Sequence, residues 1–201
     1  MRSIFTTEQL RHLSFGIGVF FLFSCGGNSK ETSNDVADSN PSDSTVTLYQ
    51  MGAFQFDSLN LLTTTFLNGD PIKRAQSEEE WRMAAENSEP AYCLCGEDSS
   101  VVLYNFFALS DPRGIIEKNR MLSLEDARKM QEGDLRSYFS KGEPTIERSY
   151  SGKFYDLELI NWWVIGENDS ACVMCWKPDG TDMKLQEASK ANGFCIRPIK
   201  K

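Results

Sequence analysis

The chain has 201 residues with 21 basic and 29 acidic side chains, which gives a formal net charge of −8 at pH 7. The sequence contains no basic patch and no arginine-rich arm, so we expect no nucleic-acid partner. The single histidine, His12, lies near the N-terminus. The rest of the chain therefore lacks the usual base of Ser-His and Cys-His catalysis, and we predict no catalytic residue, no metal and no cofactor.

The N-terminus has the pattern of an export signal. Arg2 and Arg11 precede an apolar run over residues 13–23, which is shorter than the roughly 20 residues that a transmembrane helix needs. The small residue Ser24 and then Cys25 follow this run. The order resembles a bacterial lipoprotein signal, in which the cysteine is lipidated and the peptide before it is removed. An ordinary secretory signal that happens to end near a cysteine is the alternative.

We therefore predict a signal peptide over residues 1–24, a lipid on Cys25 and a flexible tether over residues 25–44. The tether is rich in small polar residues and has almost no apolar surface to bury. The membrane would be a partner through the anchor, which holds the protein stably once several acyl chains are attached. Ser29-Lys30-Glu31 resembles the short charged signals of Bacteroidetes surface lipoproteins and favours the outer membrane, on its periplasmic or cell-surface face.

Residues 45–201 have the length of one domain and can bury a core of their own. In its first half the pattern predicts a strand at 45–49 and a helix at 78–87. Ser77 and Glu80 form a capping box that starts this helix. Residues 101–109 are apolar and aromatic, which indicates one buried strand or core-lining segment.

In the second half, Ser123 is expected to cap a helix over 124–132. Residues 133–156 are polar and contain glycine and proline, so we predict an irregular loop that carries the binding surface. Three short apolar runs, at 159–165, 171–177 and 193–199, predict strands. Two short helices among short, mostly antiparallel strands define an α+β fold class.

Several short motifs occur in an order that resembles the Fibrobacter succinogenes major paralogous domain family. The resemblance covers residues 45–199. The motifs are the segment 56–66 with Asn68-Gly69-Asp70-Pro71-Ile72, then Pro90-Ala91-Tyr92-Cys93, residues 103–108, Ser110-Asp111-Pro112-Arg113-Gly114, Trp162-Trp163 and residues 192–197.

This resemblance implies a C-type-lectin-like fold related to that of the formylglycine-generating, sulfatase-modifying enzymes. It implies no particular activity, because members of the family are often lipoproteins without an established one. The chain departs from the family pattern at residues 119–123, and Pro198 replaces the usual terminal cysteine. The disulfide pairing of the family therefore does not transfer to this chain.

Five cysteines remain after Cys25, namely Cys93, Cys95, Cys172, Cys175 and Cys195. Outside the cytoplasm they are expected to form disulfides, with one thiol left over. In a strand, Cys172 and Cys175 would point to opposite faces, which disfavours a bridge between them. The favoured pairs join Cys195 to Cys172, to Cys175 or to Cys93. A zinc site formed by Cys93, Cys95, Cys172 and Cys175 is the alternative.

The other candidate ligand-binding residues lie near the C-terminal strands. Trp162 and Trp163 can stack on a sugar if one of them is near the surface, although adjacent strand positions predict that the other packs in the core. Glu167, Asn168 and Asp169 can supply oxygen ligands to calcium, but a solvated turn accounts for them equally well.

These observations favour a lipid-anchored binding or adhesion module of the cell envelope, with a glycan or an envelope protein as its ligand. A structural or assembly lipoprotein is one alternative. A copper-dependent oxidase like the formylglycine-generating enzymes, using Cys172 and Cys175, is the other, although a shared fold does not imply a shared function.

Overall fold

The structure is a computed structural model that describes residues 48–51, 54–96, 99–131, 145–156 and 158–200. These residues belong to a compact unit, Ser44–Lys201, which is the second of two units in the chain. The expected signal peptide, Cys25 and the tether lie outside the described residues. Within the described ranges, no helix combines the length and apolar character needed to cross a bilayer.

The described residues form short strands and three α-helices. In chain order these are β1 (Leu48–Met51), β2 (Phe54–Asp57), β3 (Lys73–Arg74), α1 (Glu78–Glu86), β4 (Ala91–Cys95), β5 (Val101–Asn105), α2 (Phe106–Ser110), α3 (Leu124–Gln131), β6 (Ile146–Arg148), β7 (Phe154–Asp156), β8 (Ile160–Ile165), β9 (Ala171–Trp176), β10 (Lys184–Glu187), β11 (Gly193–Phe194) and β12 (Ile199–Lys200).

The strands form three sheets. The largest has the order β3-β4-β5-β11-β6-β7, and two three-stranded sheets have the orders β1-β2-β12 and β10-β9-β8. Among the pairings of the described strands, β3 with β4 is parallel and the others are antiparallel. The protein is therefore a mixed α/β domain with few helices and mostly antiparallel strands, as the sequence predicted at this level.

The sheets separate two apolar clusters, because successive side chains of a strand point to opposite faces. The first core contains side chains from α1, α3 and one face of the sheets, among them Trp81, Leu103, Ala127, Trp162 and Trp176. The second core contains side chains from α2 and the other face, among them Tyr104, Phe106, Ile115, Trp163 and Phe194.

The two predicted helices are confirmed, and so are their caps. The Ser77 hydroxyl accepts a hydrogen bond from the Glu80 backbone N–H at 3.1 Å and starts α1. The Glu80 carboxylate reaches back to the backbone N–H of Gln76, at 2.6 Å, which is one residue earlier than in the usual capping box. At α3, the Ser123 hydroxyl accepts from the Asp126 backbone N–H at 3.2 Å.

The segment 101–109 lines the core, as the sequence predicted, but it is not one continuous strand. It is buried along nearly its whole length, but β5 ends at Asn105 and α2 begins at Phe106. The cause is the Asn105 side chain, whose Oδ1 accepts hydrogen bonds from the backbone N–H groups of Ala91, at 3.0 Å, and Ala108, at 3.1 Å. It thereby caps the helix and holds the start of β4.

The segment 133–156 also differs from the predicted irregular loop. Its first part, up to residue 144, lies outside the described residues, and the rest folds into the hairpin of β6 and β7. The run 193–199 likewise splits into β11 and β12, which belong to different sheets. The chain crosses between these sheets at Pro198, which has no backbone N–H to continue a ladder.

Candidate functional site

Trp162 and Trp163 do point to opposite faces of β8, but neither lies at the surface. They are 2% and 1% exposed and belong to the first and second core respectively. The Trp163 indole N–H donates to the Tyr104 carbonyl at 2.6 Å. The prediction that one ring is near the surface is wrong, because both faces of β8 are covered by packed layers, and neither ring is available to a sugar.

Glu167, Asn168 and Asp169 form a single exposed turn between β8 and β9. Asn168 and Asp169 both have left-handed backbone angles, with φ of 54° and 55°, which their short polar side chains tolerate. The Glu167 carboxylate lies 3.3 Å from Arg128 in the wall of an open depression of about 430 Å³, and Asp169 borders a separate cavity. Nowhere in the described ranges do three or more His, Cys, Asp or Glu side chains form a group suited to a metal ion.

The favoured disulfide pairs are contradicted by the order of the strands. Leu103 of β5 pairs with Cys93 of β4. Strand β11 lies on the other side of β5, and Cys195 directly follows β11. Strand β5 therefore separates Cys93 from Cys195. Two strand spacings separate Cα atoms by about 9–10 Å, whereas a disulfide needs less than about 7 Å. The expected Cys93–Cys195 pair therefore cannot form without moving the backbone.

The same argument applies to the pairs of Cys195 with the cysteines of β9. Cys195 bridges to Trp162 of β8, and Trp162 pairs with Met174 of β9 on its other side. Strand β8 thus lies between Cys195 and both Cys172 and Cys175, which the sequence placed on neighbouring strands. All five described cysteines are buried, and none of them is bridged to another in a disulfide.

The chemistry proposed for these thiols is not supported by their surroundings. Burial raises the pKa of Cys93, Cys175 and Cys95, the last to about 12, so these groups are protonated and unreactive near neutral pH. Three steps along β9 place Cys172 and Cys175 on opposite faces, as expected from the sequence. A redox pair of Cys172 and Cys175 does not fit side chains on opposite faces of the strand. A zinc site that needs both of them together with Cys93 and Cys95 does not fit either.

Two of the motifs behind the family resemblance contact each other. The Arg113 guanidinium lies 3.9 Å from the centre of the Phe66 ring and donates to the Asp70 carboxylate at 3.2 Å. The Leu67 backbone N–H donates to the Gly114 carbonyl at 2.8 Å. Hydrogen bonds from Arg113 hold the pKa of Asp111 below its usual range. This contact joins two surface turns and is a feature of the scaffold.

The β6–β7 hairpin is fixed to the start of α1 by a buried arginine. Arg148 is 2% exposed and donates hydrogen bonds to the carbonyls of Gly152, Ala75 and Ser77, at 3.0, 3.0 and 2.6 Å. Its guanidinium also lies between the rings of Trp81 and Phe154, at 4.8 and 4.9 Å from their centres. Cation–π contacts of this kind stabilise a desolvated guanidinium.

The turn of this hairpin requires glycine at position 152. Gly152 has φ of +89°, and a Cβ built there would lie 2.5 Å from the Cα and carbonyl oxygen of Glu78. The Tyr150 backbone N–H donates to the Asn192 side chain at 3.1 Å, which fixes the turn on its other side. The hairpin is therefore held in one position from two directions.

Three aromatic side chains of the hairpin are exposed to solvent: Tyr150 (66%), Phe154 (44%) and Tyr155 (45%). Phe154 pairs with Arg148 and lies on the inner face, whereas Tyr155 pairs with Glu147 and shares the outer face with it. Glu147 is half-buried, and this burial raises its pKa. The outer face thus combines an aromatic ring with a carboxylate that has no ion-pair partner in the described part of the chain, and the exposed Tyr150 lies at the turn between the two strands.

The sequence predicted the region of this surface but not its residues. The aromatic residues at 150, 154 and 155 are interrupted by serine, glycine and lysine, so they carry no strand periodicity. Recognising the hairpin would have required reading Ser151-Gly152 as a turn between two three-residue strands, and strands this short give almost no pattern.

Comparisons of this chain with protein-family models, with curated proteins and with solved structures find no match. What the structure defines is the class described above, a mixed α/β domain with two apolar cores and an aromatic hairpin at one edge of its largest sheet.

Proposed function

We propose that this protein is a lipid-anchored binding module of the bacterial cell envelope and that its hairpin binds a glycan. The observation that carries the glycan assignment is the pair of Tyr155 and Glu147 on the outer face of β6 and β7. An aromatic ring covers the apolar face of a pyranose, and a carboxylate accepts hydrogen bonds from its hydroxyl groups.

The way the hairpin is held supports this proposal. Arg148 and Gly152 fix the backbone that carries Tyr150 and Tyr155, so little backbone entropy is lost when a ligand binds there. A pre-organised surface of this kind suits recognition of a repeated, weakly binding ligand such as a polysaccharide at a cell surface.

The remaining parts of the proposal rest on the sequence. The pattern around Cys25 and Ser29-Lys30-Glu31 supports lipid attachment at the outer membrane, and the motif order supports a C-type-lectin-like domain of the Fibrobacter succinogenes major paralogous type. Labelling of cells with a radioactive fatty acid, followed by precipitation of the wild-type chain and of Cys25→Ser, tests the anchor. Label on both chains, or on neither, would contradict it.

Glycan binding is tested by affinity electrophoresis of the purified chain through gels that contain single bacterial and plant polysaccharides. One aromatic contact contributes on the order of 1 kcal/mol, so Tyr155→Ala should weaken binding about fivefold, whereas Tyr155→Phe keeps the ring and most of the affinity. Leu59→Ala is the matched control, because Leu59 is 68% exposed but lies in a different segment.

Retardation by a polysaccharide that depends on Tyr155 supports the proposal. If no polysaccharide retards the wild-type chain, or if Tyr155→Ala and Leu59→Ala weaken binding equally, the hairpin is not a glycan site. An assembly role in the envelope then becomes the better hypothesis.

A further inference from the structure

A second site lies away from the hairpin, in a cavity of about 260 Å³ beside α2. Its floor consists of apolar side chains from α2 and the segment that follows it, and five of them are buried: Phe106, Leu109, Ile115, Ile116 and Met121. Ile165 at the end of β8 completes the wall. An apolar concave floor of this kind is typical of sites for small molecules.

The rim of this cavity carries one positive and one negative charge that are not already paired. Lys118 and Asp169 are both exposed at the rim, and no ion pair joins either of them to another residue in the described ranges. Asp111 also lies there, but Arg113 donates to both of its carboxylate oxygens, at 2.8 and 2.9 Å. Asp111 is thus engaged by Arg113, which it shares with Asp70, and the charges at the rim without an ion-pair partner in the described ranges are Lys118 and Asp169.

We propose that this cavity binds a free amino acid with an apolar side chain, such as leucine. The side chain lies on the apolar floor, the α-carboxylate contacts the Lys118 ammonium, and the α-ammonium contacts the Asp169 carboxylate. A zwitterion satisfies both charges of the rim, whereas a simple carboxylate meets repulsion from Asp169 and a simple amine meets repulsion from Lys118.

The size of the cavity supports a ligand of this kind. Pockets for drug-sized molecules occupy about 300–1,000 Å³, so a cavity of about 260 Å³ suits a single small metabolite rather than an oligosaccharide. The exposed ion pairs contribute modestly, and most of the affinity comes from covering the apolar floor. This site is independent of the glycan proposal, because it shares no residue with the hairpin.

The test is isothermal titration of the purified full chain with four compounds. Leucine is compared with 4-methylpentanoate, which lacks the ammonium group, with 3-methylbutylamine, which lacks the carboxylate, and with glycine, which lacks the apolar side chain. We expect saturable binding of leucine, binding of the two singly charged analogues that is weaker by about threefold to tenfold, and binding of glycine that is weaker still.

Two variants at the rim then assign the charges. Lys118→Gln removes the positive charge that repels amines. This variant should therefore bind 3-methylbutylamine about as well as it binds leucine. Asp169→Asn removes the negative charge that repels carboxylates, so this variant should bind 4-methylpentanoate about as well as it binds leucine. Asparagine tolerates the left-handed backbone at this position, so the turn should be kept. Lys153→Gln, an exposed lysine of the hairpin, is the matched control and should leave all four affinities unchanged.

Failure of leucine to bind overturns the proposal. Equal binding of leucine and its two singly charged analogues also overturns it, because the rim charges would then play no part. The proposal is also overturned if Lys118→Gln and Asp169→Asn select among the four compounds as the wild-type chain does.

Discussion

Asn105 connects three parts of the fold through one side chain, and its removal gives the sharpest test of the structure. Oδ1 accepts hydrogen bonds from the backbone N–H groups of Ala91 and Ala108, and Nδ2 donates to the Glu89 carbonyl at 2.8 Å. Asn105 is 1% exposed, and both alanines are fully buried. In Asn105→Ala, water cannot easily replace these bonds.

The expected loss follows from the number of groups left without a partner. Each buried N–H group that loses its acceptor costs about 1–3 kcal/mol, so the two together cost about 2–6 kcal/mol. This is a large share of the roughly 5–15 kcal/mol that stabilises a typical domain. With a urea slope of about 2 kcal/mol/M, a loss of about 4 kcal/mol lowers the unfolding midpoint by about 2 M.

Asn105→Asp tests the same hydrogen bonds through the pH. An ionised carboxylate would be desolvated at this buried position and would repel the Glu89 carbonyl, so we expect a large loss of stability at pH 7. At pH 3 the neutral acid accepts from both N–H groups and can donate its hydroxyl to that carbonyl, so we expect a cost of only about 1–2 kcal/mol relative to wild type at the same pH. Asn119→Ala, at an exposed position, is the control and should change stability by no more than about 0.5 kcal/mol.

Urea unfolding followed by tryptophan fluorescence measures all three variants, because the four tryptophans of the chain are all buried in its two cores. A loss below about 1 kcal/mol in Asn105→Ala would refute the reasoning. Equal losses in Asn105→Ala and Asn105→Asp at pH 3 would also refute it, since the accepted bonds would then carry no stability.

Three further predictions concern the hairpin and the thiols. Gly152→Ala forces a side chain into a left-handed backbone and against Glu78, and should cost about 2–5 kcal/mol in urea unfolding; an unchanged midpoint would contradict the hairpin geometry. Burial raises the pKa of Glu147, so ionisation of its carboxyl opposes folding. Glu147→Gln should therefore be more stable than wild type at pH 7. This gain should vanish below about pH 4, where the carboxyl is protonated in both folded and unfolded chains. A gain that persists at pH 3 would show another cause. Non-reducing mass spectrometry of the purified chain should find no bridge from Cys195 to Cys172, Cys175 or Cys93, and any such bridge would contradict the strand order.

The sequence predicted the two longer helices because their caps are local. Ser77 and Ser123 each lie three residues before the backbone N–H group that they accept from, so both the signal and the structure fall within one turn. The strands of 160–165 and 171–176 were also predicted, because both faces of these strands are buried and the apolar runs are continuous.

What the sequence missed depends on contacts between distant residues. Asn105 ends a strand because it meets Ala91, which lies 14 residues earlier, and no local pattern signals that meeting. Trp163 is buried because α2 and β11 cover the outer face of β8, so alternation along the strand could not show which ring was exposed. The disulfide prediction failed for a related reason, since the sequence gives the strands but not the order in which they pair.

The motifs that carry the family resemblance serve the scaffold of this protein. Arg113 joins two turns through its contacts with Asp70 and Phe66. Asn105 joins β4 to α2. Arg197 donates to the Asp57 carbonyl at 2.8 Å and so connects the C-terminal segment to β2. Residues 145–156, which form the aromatic hairpin, lie outside all of these motifs. The residues behind the resemblance therefore bear on the scaffold and give no information about a ligand. The glycan experiment on Tyr155 therefore addresses a part of the molecule on which the resemblance is silent.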